Sequence, residues 1–488
     1  MPHPLDPVFH PRSIAVVGVS SRESARAPGF LGALLDLGYH QRHQLYVVNP
    51  RATEVRGIPS YPTVLDCPDP IDHVISLIPR EGAQELLRQA IQKGVRSIHF
   101  FTAGFSESGD EEMAAVEREM AAEARAAGVR MLGPNCMGMY VPSQQVSWTL
   151  NVPKEPGSVF ALSQSGVNAG AIITELADRG VRFSKVVSFG NGADIAAPEL
   201  LEYAAEDPET KVVVGYLESV RDGRRLFEAL KRCAAMKPTV ILKGGVTGAG
   251  ARAAMSHTAS LAGSLEVFDA MCRQVGALRV ETLEQLQDVT VALTTSLHRA
   301  AGRRAVLFGV GGGFSVLSAD AIAREGLELP ELATAVQKEL AVHLPIAGNS
   351  VVNPIDATFP AGPRTLVPEK VLPIVGTAKN YDILIASVEA PRPPNMPPEP
   401  PAPNPPPPPP PDERPRDIIE LLAEVQKQSR RPIAAVSRSR DPQRFNYFAA
   451  QAHAQGVAAF PSVARAAATL GQLAAWREAR QGLPDRFR

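Results

Sequence analysis

Apolar runs of strand length alternate with helix-length segments along most of this chain. In the first third, the segments between the runs include residues 82–93 and 111–127, which have the length and composition of helices. Strands that alternate with helices in this way form βαβ units and open parallel sheets. The chain is therefore predicted to be an α/β protein whose ligands bind at the carboxyl ends of the strands. The predicted strands of this third are Ser13–Gly18, Gln44–Val48, Asp72–Ile78, Arg96–Phe101 and Val129–Leu132.

Length, composition and cysteine usage narrow the class of protein. The chain has 488 residues, 44% of them apolar, and about 150 residues per domain corresponds to roughly three domains. Its net charge of −1 is not that of a general nucleic-acid or membrane-surface binder. Residues 1–12 lack the apolar core of a secretory signal, and no apolar run approaches the ~20 residues of a membrane helix. The four cysteines form no CxxC pair, so we expect a cytoplasmic protein without disulfides or a zinc site.

The first two predicted strands end in loops that suit a phosphate-bearing nucleotide. Gly18-Val19-Ser20-Ser21 follows the first strand, and the next glycines are not spaced as in the GxGxxG motif. Asn49-Pro50-Arg51 follows the second strand. A NAD site favours an acidic residue near this position, whereas the guanidinium of Arg51 suits a phosphate. The 2′-phosphate of NADP would also fit, and an exposed arginine without a ligand remains an alternative.

The later strand ends of this third also lead into loops rich in glycine, proline and asparagine. The loops Ile78-Pro79-Arg80, 102–107 and 133–138 all fall at the same predicted edge. Such residues are turn formers first, but their repetition at one edge favours a binding surface. Cys136 has no histidine close to it in the sequence. We interpret it as a neighbour of bound ligand and not as a nucleophile.

A second α/β pattern begins near residue 158. The predicted strand Ser158–Leu162 runs directly into Ser163-Gln164-Ser165-Gly166 and then into a helix over residues 167–179. The backbone amides and the positive dipole end of a helix start stabilise an anion. Ordinary capping of the helix by a serine is the plainer interpretation, and it is compatible with anion binding. Further strands are predicted at Lys185–Phe189, Lys211–Leu217 and Thr239–Lys243.

The segment Ser256–Gly263 is the strongest candidate for chemistry. A loop of small residues is predicted over 244–254 and a helix over Leu265–Val275, so His257 is expected in a loop where backbone amides can approach an anion. Glu218 directly follows a predicted strand. A carboxylate beside His257 would accept a hydrogen bond from one ring nitrogen and leave the other nucleophilic. A surface histidine and a solvated carboxylate remain the alternatives.

The last third contains a third α/β pattern and one anomaly. The strand Ala305–Gly309 leads into a glycine-rich turn over residues 310–315, and Asn353-Pro354-Ile355-Asp356 follows after a gap. The triple glycine could form a phosphate cradle, but it is not a P-loop because no GK[ST] follows it. We favour a role in subunit packing, with an edge of a carboxylate site as an addition to it. Residues Pro391–Pro415 include seven consecutive prolines, which predicts an extended, solvated insertion. A polyproline ligand for a partner is the alternative to a loop without a role.

These motifs, in this order, resemble those of the nucleoside-diphosphate-forming acyl-CoA synthetases, which are relatives of succinyl-CoA synthetase. The resemblance covers about residues 8–475. It implies an N-terminal Rossmann-like CoA-binding domain over residues 1–150. Two flavodoxin-like, succinyl-CoA synthetase-like parallel-sheet domains would follow over 151–300, with a phosphohistidine, and over 301–488, with the proline-rich insertion 391–415. The motifs that carry the resemblance are VVGVSS, VVNPR, IP, AGFSESG, GPNCMG, SQSG, SFGN, YLES and KGGVTGAGARAAMSHTASLAG.

The resemblance also implies specific site residues. His257 would be phosphorylated during turnover, with Glu218 beside it. The family usually has lysine where Arg51 stands, and Val246 replaces a common arginine of the KxGR loop near the histidine. The residues expected to bind phosphate are Ser163, Gln164, Ser165 and Gly166. The residues expected to contact CoA are Gly18, Ser20, Ser21, Asn49, Pro50, Arg51, Ile78, Pro79 and Asn135.

The activity that the resemblance implies is the reversible conversion of acyl-CoA, phosphate and ADP into carboxylate, CoA and ATP. It would proceed through an acyl phosphate and a phosphohistidine. We find no ATP-grasp segment in the sequence, so the resemblance implies an α subunit in a hetero-oligomer with an ATP-grasp β subunit that supplies the ATP/ADP and Mg²⁺ sites. The other partners would be coenzyme A and a small carboxylate. A CoA-binding regulatory protein without turnover is the main alternative, and the missing GxGxxG motif disfavours an NADP-dependent oxidoreductase.

Overall fold

The computed structural model describes residues 3–19, 29–258, 263–300, 302–309, 311–345, 347–360, 366–396, 416–437 and 439–483, with the backbone alone for 254–258. The chain divides into two units. The first unit comprises Met1–Glu175, Arg182–Leu286 and Gly482–Arg488, and the second comprises Leu176–Val181 and Gln287–Gln481. Each unit contains parallel strands connected by helices.

The first sheet of the first unit has seven strands among the described residues. They are β1 (Ser13–Val17), β2 (Gln44–Val48), β3 (Glu54–Val55), β4 (Ile58–Tyr61), β5 (His73–Ser76), β6 (Ser97–Phe100) and β7 (Arg130–Leu132). Their spatial order is β3-β4-β2-β1-β5-β6-β7, and every pair is parallel except β3 with β4. The accompanying helices are α1 (Asp6–Phe9), α2 (Phe30–Leu37), α3 (Tyr39–Arg42), α4 (Ala83–Lys93) and α5 (Glu111–Ala126).

Local sequence explains how this sheet forms and why its loops meet. All five residues of β1 are buried, as expected for a parallel strand with both faces covered. α4 ends at Gly94, whose left-handed φ of 75° glycine adopts without a steric penalty. Val17 pairs with Val48 of β2 and with Ser76 of β5. The loops that follow these three strands therefore begin side by side at one edge.

The second sheet of the first unit has six strands among the described residues. They are β8 (Gly138–Tyr140), β9 (Val159–Ser163), β10 (Phe183–Ser188), β11 (Val212–Leu217), β12 (Thr239–Lys243) and β13 (Leu278–Val280). Their order is β13-β12-β11-β9-β10-β8, with β8 antiparallel to β10. Ser163 pairs with Ser188 and with Tyr216, and Leu217 pairs with Lys243. The helices are α6 (Gly166–Asp178), α7 (Ala197–Glu206), α8 (Gly223–Met236), α9 (Gly248–Thr258) and α10 (Leu265–Val275).

The second unit is built on five parallel strands in its described part. They are β14 (Ala305–Gly309), β15 (Ile355–Asp356), β16 (Ile383–Val388), β17 (Ile433–Ser437) and β18 (Ala458–Phe460), in the order β15-β14-β16-β17-β18. The buried Asp288 forms ion pairs with Arg179 (2.7 Å) and Arg465 (2.6 Å) within this unit. The helices are α11 (Leu283–Leu293), which begins in the first unit, α12 (Gly312–Arg324), α13 (Thr334–His343), α14 (Val367–Thr377), α15 (Ile418–Ser429), α16 (Pro442–Ala454) and α17 (Val463–Ala479).

The predicted α/β class with parallel sheets is confirmed, but two predicted loops are wrong in part. Residues 248–254 belong to α9 and not to a loop. Alanine has the highest helix propensity, and its frequency in this segment outweighs the glycines. The Thr247 hydroxyl also accepts a hydrogen bond from the N–H of Gly250 (3.0 Å) at the helix start. In the second unit, α12 begins at Gly312, inside the predicted triple-glycine turn.

Three other predictions concern boundaries and segments. The domain boundaries near residues 150 and 300 stay predictions. Of the proline-rich insertion 391–415, residues 397–415 lie outside the described residues. Within the described ranges, we find no helix that combines the length and apolar character needed to cross a membrane.

Short 3₁₀ helices lie at Val64–Asp66, Arg80–Gly82, Ser106–Ser108, Pro142–Gln144 and Ser296–Arg299.

Candidate active site

The end of β9 and the start of α6 form a tight turn. The hydroxyl of Ser163, a fully buried residue, donates a hydrogen bond to the backbone oxygen of Ser165 (2.6 Å). α6 then begins at Gly166, where an added Cβ would lie 2.5 Å from Cγ of Met137. Glycine therefore lets this helix start approach the loop 133–138 closely. The turn places the backbone amides of a helix N-terminus at the edge of the second sheet.

Gln164 holds the end of the neighbouring strand β11. Its side-chain oxygen accepts hydrogen bonds from the backbone amides of Glu218 (2.8 Å) and Ser219 (3.0 Å). Its side-chain nitrogen donates to the Ser219 hydroxyl (2.8 Å). The side chain of Gln164 thus fixes the backbone that carries Glu218, a role that sequence reasoning missed. Phosphate binding by Gln164 stays a prediction.

Glu218 lies at the end of β11 and is 7% exposed. The Tyr216 hydroxyl forms hydrogen bonds with the Glu218 carboxylate and the Asn168 side chain, and burial and the nearby carboxylate raise the pKa of Tyr216. Nζ of Lys243 donates to the backbone oxygens of Glu218 (2.7 Å) and Gly244 (2.5 Å). Burial lowers the pKa of Lys243, and the charge of Glu218 opposes that shift. The carboxylate of Glu218 therefore lies in an enclosed site, where charge interactions are stronger than in water.

The prediction of a loop at His257 is wrong, because the backbone of this residue lies in the last turn of α9. Its side chain is outside the described residues. α9 follows β12, which is the neighbour of β11 in the sheet. The helix that carries His257 therefore follows the strand next to β11, the strand that directly precedes Glu218. The pairing of these two side chains stays a prediction. In the loop between β12 and α9, Val246 is exposed.

The carboxyl edge of the first sheet is more open. Gly18 has a φ of 91°, and an added Cβ would lie 2.9 Å from Cγ2 of Ile78, so this position requires glycine. Asn49 donates through Nδ2 to the backbone oxygen of Val19 (2.8 Å) and accepts through Oδ1 from the N–H of Arg51 (2.8 Å). These bonds join the loops after β1 and β2. The side chain of Arg51 projects from them as an exposed cation.

The structure describes only some of the remaining residues that are predicted to contact CoA. Ser20 and Ser21 lie outside the described residues. Pro50 and Pro79 are exposed, and Ile78 is half-buried, at the edge where β1, β2 and β5 end. The structure therefore brings the described members of this set to one surface, and their contact with CoA stays a prediction.

Asn135 connects the edges of the two sheets. It has a φ of 55°, and its N–H donates to the backbone oxygen of Thr102 (2.8 Å). Its Nδ2 lies 3.4 Å from Oδ1 of Asn191, which follows β10. Nδ2 of Asn191 in turn donates to the carboxylates of Glu107 (2.5 Å) and Glu117 (2.7 Å). A polar network therefore links the loop predicted to lie near the thioester with the second sheet.

Arg221 completes this network. Its Nη2 donates to the carboxylate of Glu117 (3.0 Å) and to the hydroxyl of Ser106 (3.3 Å). Glu117 is buried on α5, on the same face as Met120, and sequence reasoning missed it. The sequence signal that could have identified it is the spacing of Glu117 from Met120 and Ala121, which places this carboxylate on the apolar face of the helix. The network anchors the segment that follows Glu218 to the first sheet.

Cys136 has no features of a nucleophile. Its thiol is buried, and burial raises its pKa. Its backbone oxygen is 3.0 Å from Nε2 of His99, a buried residue of β6. A thiol with a raised pKa is a poor nucleophile, which supports the interpretation made from the sequence.

Two family models match the chain, and they cover both sheets of the first unit. A CoA binding domain matches residues 12–142, and a succinyl-CoA ligase like flavodoxin domain matches residues 156–293. The chain is 35% identical over 389 residues to the alpha subunit of acetate–CoA ligase [ADP-forming] II of Pyrococcus furiosus, which covers 79% of this chain and 83% of the relative. The chain belongs to the ADP-forming acetyl-CoA synthetase family.

This α-subunit homologue is also similar to longer proteins and to a solved structure. It is 35% identical over 382 residues to acetate–CoA ligase [ADP-forming] I of Archaeoglobus fulgidus, of which it covers 54%. It matches dinucleotide forming acetyl-coenzyme A synthetase 1 of Ca. Korarchaeum cryptofilum, in complex with phosphate and ADP, with a TM-score of 0.78. That match has 27% identity and covers 98% of both chains. The predicted family, fold class and ligase class are confirmed.

Proposed function

We propose that this chain is the α subunit of an ADP-forming acyl-CoA synthetase that works through a phosphohistidine. The observation that carries the proposal is the buried Glu218, whose backbone is held by Gln164 and Lys243. It lies one strand away from the start of α6 at Gly166, and one strand away from β12, which leads to His257. Membership of the ADP-forming acetyl-CoA synthetase family supports the class of reaction.

The proposed reaction has three reversible steps. An oxygen of hydrogen phosphate attacks the thioester carbon of acyl-CoA, the C–S bond breaks, and the phosphate proton neutralises the departing thiolate. A ring nitrogen of His257 then attacks the phosphorus of the acyl phosphate, and the P–O bond to the acyl group breaks to release the carboxylate. The phosphoryl group finally passes from the histidine to ADP, which forms ATP.

The groups of this chain have distinct roles in these steps. The Glu218 carboxylate accepts a hydrogen bond from one ring nitrogen of His257 and so fixes the tautomer that leaves the other nitrogen nucleophilic. The amides at the start of α6, after Ser163 and Ser165, stabilise the negative charge of the phosphoryl group. Arg51 at the open edge of the first sheet binds a phosphate of CoA through its guanidinium.

The proposal includes a partner and a compartment. A relative named as an alpha subunit supports a hetero-oligomer, in which we place the ADP/ATP and Mg²⁺ sites on an ATP-grasp β subunit. The structure of a relative in complex with phosphate and ADP supports the nucleotide. The four cysteines are free and buried, which supports a cytoplasmic protein.

Intact-mass measurement tests this function. The full-length protein is incubated with phosphate, Mg²⁺ and a panel of acyl-CoAs. We expect a gain of one acid-labile phosphoryl group that is absent from His257→Ala and retained by His40→Ala, since His40 is exposed on α3. The acyl-CoA that reacts fastest then identifies the acyl group. No gain with any acyl-CoA, even with a candidate ATP-grasp subunit and ATP, would refute the proposal and favour a CoA-binding regulatory protein.

A further inference from the structure

A cavity of about 470 Å³ lies at the carboxyl edge of the second sheet, within the first unit. Its walls come from the ends of β9, β10 and β11 and from the first turns of α7 and α8. Gln164, one of the site residues predicted from the sequence, lines this cavity. The volume is within the range of sites that bind small molecules.

The cavity and the Glu218 carboxylate lie on opposite sides of β11. Successive side chains of a strand point to opposite faces. Leu217 and Ser219 line the cavity, whereas Tyr216 and Glu218 are not part of its lining. Gln164 lines the cavity and also accepts the backbone N–H of Glu218. A molecule in the cavity would therefore contact the groups that hold this backbone in place.

One part of the wall is apolar. Phe189, Leu217 and Leu226 are buried side chains that line the cavity, and Pro198 lies beside them in the first turn of α7. Inorganic phosphate has no apolar surface to place against such a wall. The wall favours a ligand with a hydrocarbon or aromatic body, because burial of that body removes apolar surface from water.

The lining also contains charged residues, with more cations than anions among the described residues. Nη2 of Arg221 is bonded to Glu117 and Ser106, and in the described part of the chain nothing pairs with its Nε or Nη1. Nη1 of Arg225 lies 2.6 Å from Glu199, and its Nη2 lies 3.8 Å from Glu202. Guanidinium groups with available N–H donors bind carboxylates well. The charged lining residues are Arg125, Arg130, Arg221, Arg225, Asp194, Glu199 and Asp222.

We propose that this cavity binds a small carboxylate with an apolar body. The body packs against Phe189 and Leu217, and the carboxylate accepts hydrogen bonds from Arg221 and Arg225. Two sources have this chemistry: the carboxylate of the reaction, or a second carboxylate that acts on the backbone around Glu218. The first source rests on the proposed function, and the binding itself does not.

Calorimetric titration of the full chain with butyrate, phenylacetate and glutarate tests the binding. Val220→Trp places a large side chain in the cavity and is expected to abolish binding. Arg225→Gln is expected to weaken it about tenfold through the loss of a charge-assisted hydrogen bond. The matched control is Arg232→Gln, because Arg232 is also on α8 and also pairs with a glutamate of α7, Glu206, but does not line the cavity. The proposal fails if none of the three carboxylates binds, or if Arg232→Gln weakens binding as much as Arg225→Gln.

The phosphorylation assay separates the two sources. If the acyl group occupies the cavity, Val220→Trp slows phosphorylation with the acyl-CoA of the bound carboxylate and spares acetyl-CoA. If a second carboxylate occupies it, the variant is phosphorylated at the normal rate with every acyl-CoA, and added carboxylate changes the rate of the wild type alone. Absence of phosphorylation in the wild type would count against the proposed function, whereas the calorimetric result would stand.

Discussion

The carboxyl edges of the two sheets in the first unit differ in how much of their chemistry is exposed. The first-sheet edge carries exposed groups at Gly18, Pro50, Arg51 and Pro79. The second-sheet edge buries polar groups at Ser163, Glu218 and Lys243. At the second edge, the side chains of Ser163 and Lys243 already donate hydrogen bonds to the backbone oxygens of Ser165 and Glu218. The second edge is therefore preorganised, and the first is accessible.

This difference matches two kinds of task. A large, highly charged molecule that binds and leaves needs donors at an accessible surface, where each contact contributes modestly. Transfer of a phosphoryl group needs groups that are already oriented and shielded from water. Substitutions at the second edge should therefore change the rate of phosphorylation, and substitutions at the first should change affinity for CoA.

The largest effect is expected from Glu218→Gln. The amide keeps the shape and the backbone bond to Gln164 but removes the charge that we propose orients and stabilises the histidine. We expect the rate of phosphorylation by acyl-CoA to fall about a thousandfold, with CoA affinity unchanged. Rapid-quench intact-mass measurement gives the rate. Glu228→Gln is the control, because Glu228 is exposed on α8. If Glu218→Gln is phosphorylated at the wild-type rate, the carboxylate has no role in the reaction.

A smaller effect on the same rate is expected from Gln164→Ala. The variant leaves the amides of Glu218 and Ser219 without their acceptor, so the end of β11 shifts. Small misplacements of this kind cost about a hundredfold in rate. Gln89→Ala is the control, because Gln89 is half-buried on α4 and its side chain bonds to Glu85, far along the chain from Glu218. Equal rates in the two variants would show that the bonds of Gln164 do not position Glu218.

The third effect concerns how the free energy of unfolding depends on pH through two buried histidines of the first sheet. Burial lowers the pKa of His73 to about 3 and that of His99 to about 4, from 6.5. Below pH 6.5 the unfolded chain therefore binds protons that the folded chain does not, so the free energy of unfolding falls as the pH falls toward 4. No described residue of the second sheet is a buried histidine. Acid should destabilise the first sheet before the second.

His73→Leu measures this contribution. Between pH 7 and pH 5, the wild type should lose about 2 kcal/mol more of its free energy of unfolding than the variant. Urea unfolding in a Trp476→Phe background reports the first unit through Trp148, the remaining tryptophan. His40→Leu, which changes an exposed histidine, should keep the wild-type pH dependence. An identical pH dependence in His73→Leu would contradict the prediction.

The smallest effect is expected from Arg51→Gln at the exposed edge. Loss of one phosphate contact should weaken CoA about tenfold and lower the salt dependence of binding, while pantetheine, which has no phosphate, binds as before. Calorimetry at two salt concentrations provides the measurement. Arg88→Gln is the control, because Arg88 is exposed on α4. If Arg51→Gln behaves like Arg88→Gln, the open edge does not bind the CoA phosphates through this residue.

Local signals predicted the scaffold well. The bounds of β2, β12, β14 and α10 are confirmed residue for residue. Each strand has an apolar run of at least three residues, and α10 is capped by Gly276 in a left-handed conformation. The strand ends that form both edges could be located from the sequence for the same reason.

The parts that could not be predicted depend on contacts between distant residues. Gln164 and Glu218 are 54 residues apart, so the bond between them is invisible in a local pattern. Glu117 and Arg221 are 104 residues apart. β8 has three residues and exists only because β10 pairs with it. α9 was missed because glycines on one side of the alanine run suggested a loop.

β8 has a consequence for how the protein is made. It follows β7 of the first sheet along the chain, yet Gly138 pairs with Ser188 of β10 in the second. On the ribosome, β8 is synthesised before its partner β10. Its backbone hydrogen-bonding groups therefore have no strand partner until the chain has been made as far as Ser188. Until then the nascent chain carries an open strand edge, which is a template for unwanted pairing with other chains. A fragment that ends after β8 would keep that edge permanently, so the two sheets are best produced as one continuous polypeptide.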